Sequence, residues 1–394
     1  MQHEYAFSLP HPDAISAAHS ARCADYVRAR IRDAGGSISF AEFMHYALYA
    51  PGLGYYSAGT RKFGEGGDFV TAPEISPLFG RVIARQCAGV LRNVPDGSVL
   101  EFGAGSGRLA LDVLRTLEEL DAVPAEYRIL EVSADLRERQ ERLLHEEVPG
   151  LASRIRWLDR MPDTHRGIVL ANEVLDALPV ERFMRRSDGV YQLRVVDEDG
   201  EFVFVDEPAP DVLAKALDSI ERDIGERLPD NYISEVSLAA PAWLGDVAQM
   251  LHHGMILLFD YGVSRREYYA PDRSEGWLRC HFRHRAHSDP LILTGIQDLT
   301  AWVDFSAIAE AAVSSGLDIL GYVSQSQFLI AGGIEAELHE LAELPLESQL
   351  QTAARIKILT LPGEMGENVK CIGLARGEVA TPPAFDSADR THTL

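Results

Sequence analysis

Short apolar runs alternate along the chain with stretches in which apolar residues recur every three or four positions. The runs have the length and composition of buried strands, and the stretches between them have the spacing of helices that cover a sheet. The predicted strands are 98–102, 127–132, 154–158 and 167–171, and the predicted helices are 108–120 and 134–146. Because strands that alternate with helices usually pair in parallel, the sequence predicts an α/β protein built on a parallel sheet.

The residues before this alternation are predicted to be mainly helical. Residues 13–33 have helical spacing and end at two glycines, and Ser39 to Glu42 has the order of a capping box before a short helix. Residues 61–70 are too rich in glycine for regular structure and are interpreted as an exposed loop. A helix with one apolar face follows this loop. We therefore assign residues 1–92 to an N-terminal helical cap that carries a loop covering the ligand.

The alternation fails after Pro179. Residues 180–206 are typical of antiparallel strands with a turn at 197–200, and a helical stretch follows them. We interpret 180–250 as an insertion above the carboxyl ends of the parallel strands, where a substrate lid belongs. The remaining predicted parts are the two halves of a Rossmann-like core, 93–179 and 251–376, and a polar, disordered tail at 377–394.

Composition limits the class of protein and the kind of partner. The chain has 394 residues, 46% hydrophobic and 25% charged, and no apolar run approaches the ~20 residues of a membrane helix. A formal charge of −23 at pH 7 argues against a nucleic-acid partner and favours a cationic one. The four cysteines include no close pair, as is typical of a reducing compartment, and no Lys or Arg of a targeting signal precedes Arg22. We expect a cytoplasmic, bacterial-type enzyme without a membrane partner.

The segment Glu101-Phe102-Gly103-Ala104-Gly105-Ser106-Gly107 joins the first predicted strand to its helix. Glycine permits a tight turn and a close approach of the backbone to a ligand, and the start of the helix offers free N–H groups. Dinucleotide oxidoreductases use G-x-G-x-x-G, whereas the glycines here fall at every second position. The pattern resembles motif I of the class I methyltransferases that bind S-adenosylmethionine. The alternative is a glycine-rich turn without a ligand.

Two acidic residues are expected beside this loop, because the carboxyl ends of parallel strands meet at one edge of a sheet. Glu101 closes the first strand and could hold a cofactor amine or a water. Glu131 follows the second strand, where a carboxylate that binds both ribose hydroxyls is expected; otherwise it is an ordinary exposed carboxylate. The predicted cofactor-binding residues here are Glu101, Gly103, Ala104, Gly105, Gly107, Glu131 and Val132.

Several further segments together resemble the MidA family, the bacterial relatives of the mitochondrial complex I assembly methyltransferase. They extend over residues 15–376 and occur in the order found in the family. The segments are Phe43-Met44, Ala47-Leu48-Tyr49, Gly54-Tyr55-Tyr56, Gly67 to Glu74, Asn172 to Pro179, Asp298 to Phe305 and Met365-Gly366. The resemblance implies a class I methyltransferase fold, S-adenosyl-L-methionine as methyl donor and, for the mitochondrial member, symmetric dimethylation of an arginine on a complex I subunit.

Methylation of a guanidinium requires carboxylates that align it and localise its charge away from the attacking nitrogen. Glu173 and Asp176, after the fourth strand, are the predicted catalytic pair, and Asn172 is a further candidate for catalysis or cofactor binding. Alternatively, Asp176 caps the following turn and Glu173 contacts the cofactor or solvent. Asp68 and Thr71 are expected to bind the methionine part of the cofactor, although Thr71 is equally explained as a helix N-cap.

His281, His284 and His287 recur near Cys280 and superficially resemble a metal site. The arginines interleaved with them would repel a cation, so no metal is predicted and the segment is interpreted as a basic patch. The combined prediction is a class I S-adenosyl-L-methionine-dependent methyltransferase that modifies an exposed arginine of a protein. The alternatives are methylation of a small molecule or of another protein side chain, and a non-catalytic assembly scaffold. A homodimer is one alternative for the oligomeric state.

Overall fold

A computed structural model describes residues 9–58, 71–336 and 345–394. The strands form three sheets. In chain order they are β1 (Ile38–Ser39), β2 (Ser98–Phe102), β3 (Tyr127–Leu130), β4 (Ile155–Leu158), β5 (His165–Asn172), β6 (Glu181–Arg186), β7 (Gly189–Glu198), β8 (Glu201–Pro208), β9 (Tyr232–Val236), β10 (Leu251–Val263), β11 (Leu278–Phe282), β12 (Arg285–His287), β13 (Asp298–Ala301), β14 (Val303–Asp304), β15 (Asp318–Ser324) and β16 (Val369–Arg376). The α-helices are α1 (Ala14–Asp33), α2 (Phe40–Tyr49), α3 (Ala72–Ile75), α4 (Pro77–Leu91), α5 (Arg108–Glu119), α6 (Ala134–Glu147), α7 (Asp211–Ile224), α8 (Ala239–Met250), α9 (Arg265–Tyr268), α10 (Phe305–Ser314), α11 (Gln325–Ala331), α12 (Leu346–Thr360) and α13 (Met365–Asn368).

The largest sheet has eight strands in the order β4–β3–β2–β5–β10–β16–β15, with the short β14 beside β10. The strands from β4 to β10 are parallel, and β16 runs antiparallel to both of its neighbours. The chain passes outward from β2 to β3 and β4 and then returns to β5 on the other side of β2. This reversal leaves a crevice at the carboxyl ends of β2 and β5, the usual ligand site of an open α/β sheet. The predicted α/β class with a mostly parallel sheet is confirmed.

Apolar side chains fill both faces of this sheet. On one face, residues of α4, α5 and α11 such as Phe79, Leu111 and Phe328 pack together, and on the other α8 and α10 contribute Leu244 and Ile308. Helix α8 lies in the predicted insertion but packs on the central sheet, so the insertion ends before this helix. No helix within the described ranges is long and apolar enough to cross a membrane.

The insertion forms a second, antiparallel sheet in the order β1–β7–β6–β9, with β8 paired to β7. The β7–β8 hairpin turns at Asp199 and Gly200, whose φ angles are 51° and 90°, within the predicted turn. Strand β1 comes from the N-terminal cap, and its Ile38 pairs with Val195 of β7. The cap and the insertion therefore share one sheet, because the cap supplies the strand that completes it.

A third, three-stranded sheet in the order β12–β11–β13 interrupts the second half of the predicted core. The sequence analysis did not predict it. Its apolar residues, including Leu278 and Leu299, join the same core as Phe43 of α2 and Val195 of β7. The cap, the insertion and the third sheet are thus held together by one apolar cluster beside the central sheet.

The prediction that 377–394 is a disordered tail is wrong. Residues Pro383–Phe385 and Thr391–Thr393 form short 3₁₀-helices, and Phe385 is only 4% exposed. Its ring packs where Gly321 and Gly373 leave space, since a Cβ on either glycine would approach the ring to within 2.7 Å. One buried aromatic side chain fixes this segment, although its overall composition is polar.

Candidate active site

A cavity of about 240 Å³ opens at the carboxyl ends of β2, β3 and β5. It brings together most of the residues predicted to bind the cofactor or to act in catalysis. Those that line it are Thr71, Glu101, Gly103, Ala104, Gly105, Glu131, Val132, Asn172 and Glu173. Gly107 and Asp176 are outside the lining, and Asp68 lies outside the described residues.

The glycine loop leaves β2 in a conformation that other residues rarely adopt. Gly103, Gly105 and Gly107 have φ angles of 63°, 54° and 85°, all in the left-handed region. A Cβ on Gly103 would lie 3.2 Å from Val174 Cγ2, and Gly107 occupies the N-cap position of α5. The loop therefore folds closely over the cavity floor and leaves the first N–H groups of α5 without helical partners.

Glu131 follows β3 and is held by two donors. Its Oε1 accepts a hydrogen bond from the Ser133 backbone at 2.9 Å, and its Oε2 accepts one from Gln140 Nε2 at 3.1 Å. The same Gln140 Nε2 donates to the Gly105 carbonyl at 2.8 Å, and Trp157 Nε1 donates to Gln140 Oε1 at 3.0 Å. Gln140 thus ties the predicted ribose carboxylate to the glycine loop. The sequence analysis missed Gln140 and Trp157, since no local motif marks either one.

Glu101 is a buried carboxylate that contacts the cavity. It is 2% exposed and accepts a hydrogen bond from the Tyr127 hydroxyl at 2.7 Å. Burial raises its pKa to about 7, and the Tyr127 hydrogen bond opposes this shift. Near neutral pH the side chain can therefore either accept or donate a hydrogen bond in the cavity.

The turn after β5 is built on Asp260 of β10. Asp260 Oδ2 accepts hydrogen bonds from the backbone N–H groups of Val174, Leu175 and Asp176 at 3.1, 2.8 and 3.3 Å. Glu173, at the start of the turn, has a φ of 53°, which is rare for a residue with a side chain. This arrangement points Glu173 into the cavity lining and leaves Asp176 buried at 6% exposure. The sequence analysis did not assign a role to Asp260.

Glu173, Asp176 and Asp260 form a buried acidic cluster. Burial raises the pKa of Glu173 to about 8, and the charge of Asp176 adds to the shift, while a backbone hydrogen bond from Ala72 opposes it. Burial and the charge of Asp260 raise the pKa of Asp176 well above its usual range. Burial and the charge of Glu173 raise that of Asp260. The strongest neighbouring charge on each of the three is therefore another carboxylate.

Two tyrosines from the cap complete the wall opposite Glu173. Tyr49 and Tyr56 line the cavity, with their rings stacked at a centroid distance of 5.5 Å. The Tyr49 hydroxyl donates to the Ala177 carbonyl at 3.0 Å, and the Tyr56 hydroxyl donates to Asp298 Oδ1 at 2.9 Å. Tyr49, Tyr56 and Asp298 belong to segments that resemble the MidA family, but no function was predicted for them from the sequence.

The start of α3 connects the cap to the site. Thr71 occupies the N-cap position of α3, as the alternative explanation predicts, but its side chain makes no cap hydrogen bond. It lines the cavity, as expected for a residue that contacts the cofactor. Glu74 accepts a hydrogen bond from the Ser106 hydroxyl in the glycine loop. The cap and the glycine loop are therefore in direct contact.

Asn172 leaves one strong acceptor unused inside the site. Its Nδ2 donates to Glu173 Oε1 at 3.3 Å. Its Oδ1 is buried and has no hydrogen-bond partner within the described part of the chain. Such an atom costs free energy unless a ligand donates to it, so a donor group of a bound molecule is expected here.

The histidine segment lies away from this cavity. His281 and His287 are on β11 and β12, and His284 lies in the turn between them with a φ of 60°. In the ranges that the structure describes, no group of three His, Cys, Asp or Glu side chains is arranged to hold a metal ion.

Comparison with known proteins identifies the family of this site. Residues 82–323 match the model of the family described as "Putative S-adenosyl-L-methionine-dependent methyltransferase". The chain is 31% identical to the zebrafish (Danio rerio) protein arginine methyltransferase NDUFAF7, mitochondrial, over 85% of this chain and 82% of that protein. It is 30% identical to the Drosophila melanogaster homologue over 94% of this chain and 89% of that protein.

A solved structure also shares this fold. A protein from Burkholderia thailandensis, bound to S-adenosyl-homocysteine, superposes with a TM-score of 0.92 at 43% identity. The match covers 98% of this chain and 100% of that one. The predicted methyltransferase fold and the predicted cofactor are confirmed.

Proposed function

Because the chain belongs to this family of S-adenosyl-L-methionine-dependent methyltransferases, we propose that it methylates an arginine side chain of a protein. Its relatives in zebrafish and Drosophila carry the name protein arginine methyltransferase. Arginine differs from most methyl acceptors in being a permanent cation, so the charge of the acceptor pocket is the decisive property.

The observation that carries the proposal is the acidic cluster at the cavity. Asp176 and Asp260 are buried and Glu173 is half-buried. Burial is the main cause that raises the pKa of each, and the strongest neighbouring charge on each is another carboxylate. A buried like-charge group of this kind is unfavourable unless protons or a bound cation neutralise it. A guanidinium matches the need, because its planar N–H groups bind carboxylates in pairs.

The remaining cavity residues fit the cofactor. The glycine loop allows close approach, Glu131 is held in place to accept two ribose hydroxyls, and the orphan Asn172 Oδ1 suits an ammonium group. Val132 is 66% exposed at the rim, where an adenine ring would cover it. Thr71 and Asp68 are proposed to contact the methionine part. When bound, S-adenosyl-L-methionine supplies an electrophilic methyl group on a sulfonium sulfur.

We assign the acceptor chemistry to the turn after β5. Glu173 accepts hydrogen bonds from two guanidinium nitrogens, one of which is the nitrogen that faces the donor methyl group. Asp176, from behind, favours localisation of the positive charge away from that nitrogen, so that its lone pair becomes available. Glu173 then takes up the proton that the methylated nitrogen loses, which its raised pKa of about 8 permits near neutral pH. Asn172 orients Glu173 through the amide hydrogen bond.

The test uses the purified protein, donor with an isotopically labelled methyl group, and extract from cells that lack this protein. We expect the label on an arginine side chain of a protein, located by mass spectrometry, and no label with Glu173→Gln. Label confined to RNA, lipid or a small molecule would contradict the proposed acceptor.

We also propose a cytoplasmic location. All four cysteines are buried free thiols, which supports a reducing compartment. Fluorescence of a tagged chain in the source cell would locate it, and an exclusively periplasmic or membrane signal would refute this placement.

A further inference from the structure

The outer face of α2 carries aromatic rings where a surface helix usually carries charges. The inner face is buried and apolar, with Phe43, Met44 and Leu48 in the core. On the outer face, His45 is exposed and Tyr46 and Tyr49 are half-buried. Rings that remain partly in water on a short helix are typical of surfaces that contact another molecule.

These rings form a continuous series, which we call the aromatic strip. Its members are Tyr56, Tyr49, His45, Tyr46 and Tyr26 of α1. Successive ring centroids are 5.5, 5.9, 5.6 and 5.8 Å apart along this order. The strip therefore joins rings of α1, of α2 and of the segment after α2 through direct ring contacts.

The inner end of the strip is part of the candidate active site. Tyr49 and Tyr56 line the cavity that contains Glu173, and their hydroxyls are fixed to Ala177 and Asp298. Further along the strip His45 is exposed, and Tyr26 of α1 contacts Tyr46 at a ring centroid distance of 5.8 Å. The strip therefore leads from the acceptor cavity onto the protein surface.

The strip suits a cationic polypeptide. Aromatic faces attract guanidinium and ammonium groups. The Tyr26 ring already holds the Arg30 guanidinium at 5.3 Å, so His45 and Tyr46 are the rings that remain for a cationic partner. Tyrosine also supplies contact area at a low cost in side-chain entropy. The formal charge of −23 adds long-range attraction for a basic partner.

We propose that the aromatic strip binds the polypeptide segment that flanks the target arginine. The inference rests on the proposed function, since it requires a protein as the methyl acceptor. His45 and Tyr46 are the specificity-determining residues, and they act by retaining the substrate while its arginine occupies the cavity.

The substrate for this test is the protein that becomes labelled in the extract experiment, purified in its unmethylated form. Initial rates of methyl transfer to it are measured at a saturating concentration of S-adenosyl-L-methionine. His45→Ala and Tyr46→Ala are each expected to raise KM for that protein about tenfold, because truncation of an interface ring typically weakens binding to this extent. The kcat should stay within twofold. Affinity for S-adenosyl-homocysteine by calorimetry and the Tm should match those of the parent protein. His252→Ala, an exposed histidine at the start of β10 and outside the cavity lining, is the control for His45→Ala.

The possible results distinguish failure of the aromatic strip from failure of the proposed function. If a protein arginine is labelled and both variants retain the parent KM, the aromatic strip is overturned while the proposed function stands. If only a small molecule is labelled, both fail. If the Tm of Tyr46→Ala falls together with a rise in KM, a Tyr46→Leu variant, which keeps much of the bulk of the side chain, separates packing from binding: a normal KM with Leu overturns the role assigned to the ring, and a KM that stays high at a restored Tm supports it.

Discussion

At the scale of single residues, the site depends on side chains that hold other side chains. The location of Glu131 at the edge of the sheet follows from its position in the sequence after β3. The orientation of its side chain comes from a hydrogen bond to Gln140, which is completely buried. Both donor and acceptor groups of this amide are used, by Gly105, Glu131 and Trp157. If the Gln140 amide were flipped, its oxygen would face two acceptors, the Gly105 carbonyl and Glu131 Oε2, and its NH2 group would face the Trp157 N–H. The Trp157 N–H therefore fixes the amide orientation in which Gln140 donates to Glu131.

We therefore expect Gln140→Ala to weaken the binding of S-adenosyl-homocysteine about tenfold, because loss of a hydrogen bond to a charged group costs ~1.5–3 kcal/mol. Calorimetry measures the change. Gln86→Ala is the matched control, since Gln86 is similarly buried but bonds to Val82 and Gly332, away from the cavity. Equal affinities for the two variants would show that Gln140 has no role in binding.

Glu173→Gln should abolish most of the methyl transfer while leaving the cofactor site intact. The amide has nearly the same shape but cannot carry a negative charge or take up a proton, so kcat should fall about 100-fold or more.

In the parent protein, kcat/KM should rise as pH increases toward 8, because deprotonation of Glu173, whose pKa is about 8, creates the anion that binds the guanidinium. A parent pH profile that is flat between pH 6 and 9 would contradict this role.

At the scale of elements, the β2–α5 connection shows how a local pattern becomes a binding loop. The alternating glycines all adopt positive φ angles, and Gly103 leaves only 3.2 Å between a hypothetical Cβ and Val174. The strand, the turn and the helix start were all predicted from sequence, because they depend on neighbouring residues alone.

Gly103→Val is accordingly expected to abolish detectable binding of S-adenosyl-homocysteine. The substitution forces a β-branched residue into the left-handed region and against the turn after β5. Gly89→Ala in α4 is the control, because nothing lies within 4 Å of a Cβ there and the helix gains stability. The affinity of both variants for S-adenosyl-homocysteine is measured by calorimetry. A normal affinity in the Val variant would show that the loop tolerates a side chain.

The C-terminal segment has one large buried aromatic side chain, Phe385, in addition to hydrogen bonds that Asp389 and Arg390 make with the Tyr322 backbone. Phe385 packs against Phe328 with a ring centroid distance of 5.6 Å and fills the space above Gly321 and Gly373. Phe385→Ala should lower the free energy of unfolding by ~3–5 kcal/mol, the usual cost of removing a buried phenyl ring. Chemical denaturation measures this loss. A change below 1 kcal/mol would mean that the segment is not packed in solution.

At the scale of the whole molecule, the candidate site joins parts that are far apart in sequence. The central sheet supplies the glycine loop, Glu131 and Glu173, while the cap supplies Tyr49 and Tyr56 and the third sheet supplies Asp298. One shared apolar cluster fixes the cap, the insertion and the third sheet to each other. The acceptor side of the cavity therefore exists only when the complete chain has folded.

The buried carboxyl groups also make global stability depend on pH. Burial raises the pKa of Glu101 to about 7 and that of Glu173 to about 8, whereas in the unfolded chain both have ordinary values near 4. The stabilisation that comes from their protonated forms is complete below pH ~4 and is lost as pH rises through 7 to 8. The Tm of the ligand-free protein should fall over pH 5–9 more steeply than that of Glu173→Gln. Parallel scanning calorimetry curves for the two proteins would exclude this linkage.

The sequence alone predicted the parallel sheet, the glycine loop and the residues that end its strands. Periodicity, turn residues and strand ends are local properties, so their positions follow from neighbouring amino acids. Gly103, Glu131 and Glu173, which the sequence predicts at the strand ends for this reason, line one cavity. The family resemblance implied the proposed substrate. The polar composition of 377–394, in contrast, concealed Phe385, because a single buried contact leaves no periodic signal.

What only the tertiary structure decided is the environment of those residues. Asp260 bonds to Val174, in the turn after β5, across 86 residues, and Tyr56 bonds to Asp298 across 242 residues. Such partners are brought together by strand order and core packing, which no short window of sequence contains. The sequence determined which chemical groups reach the edge of the sheet, and the folded chain decided which of them are buried, which are charged and which face one another.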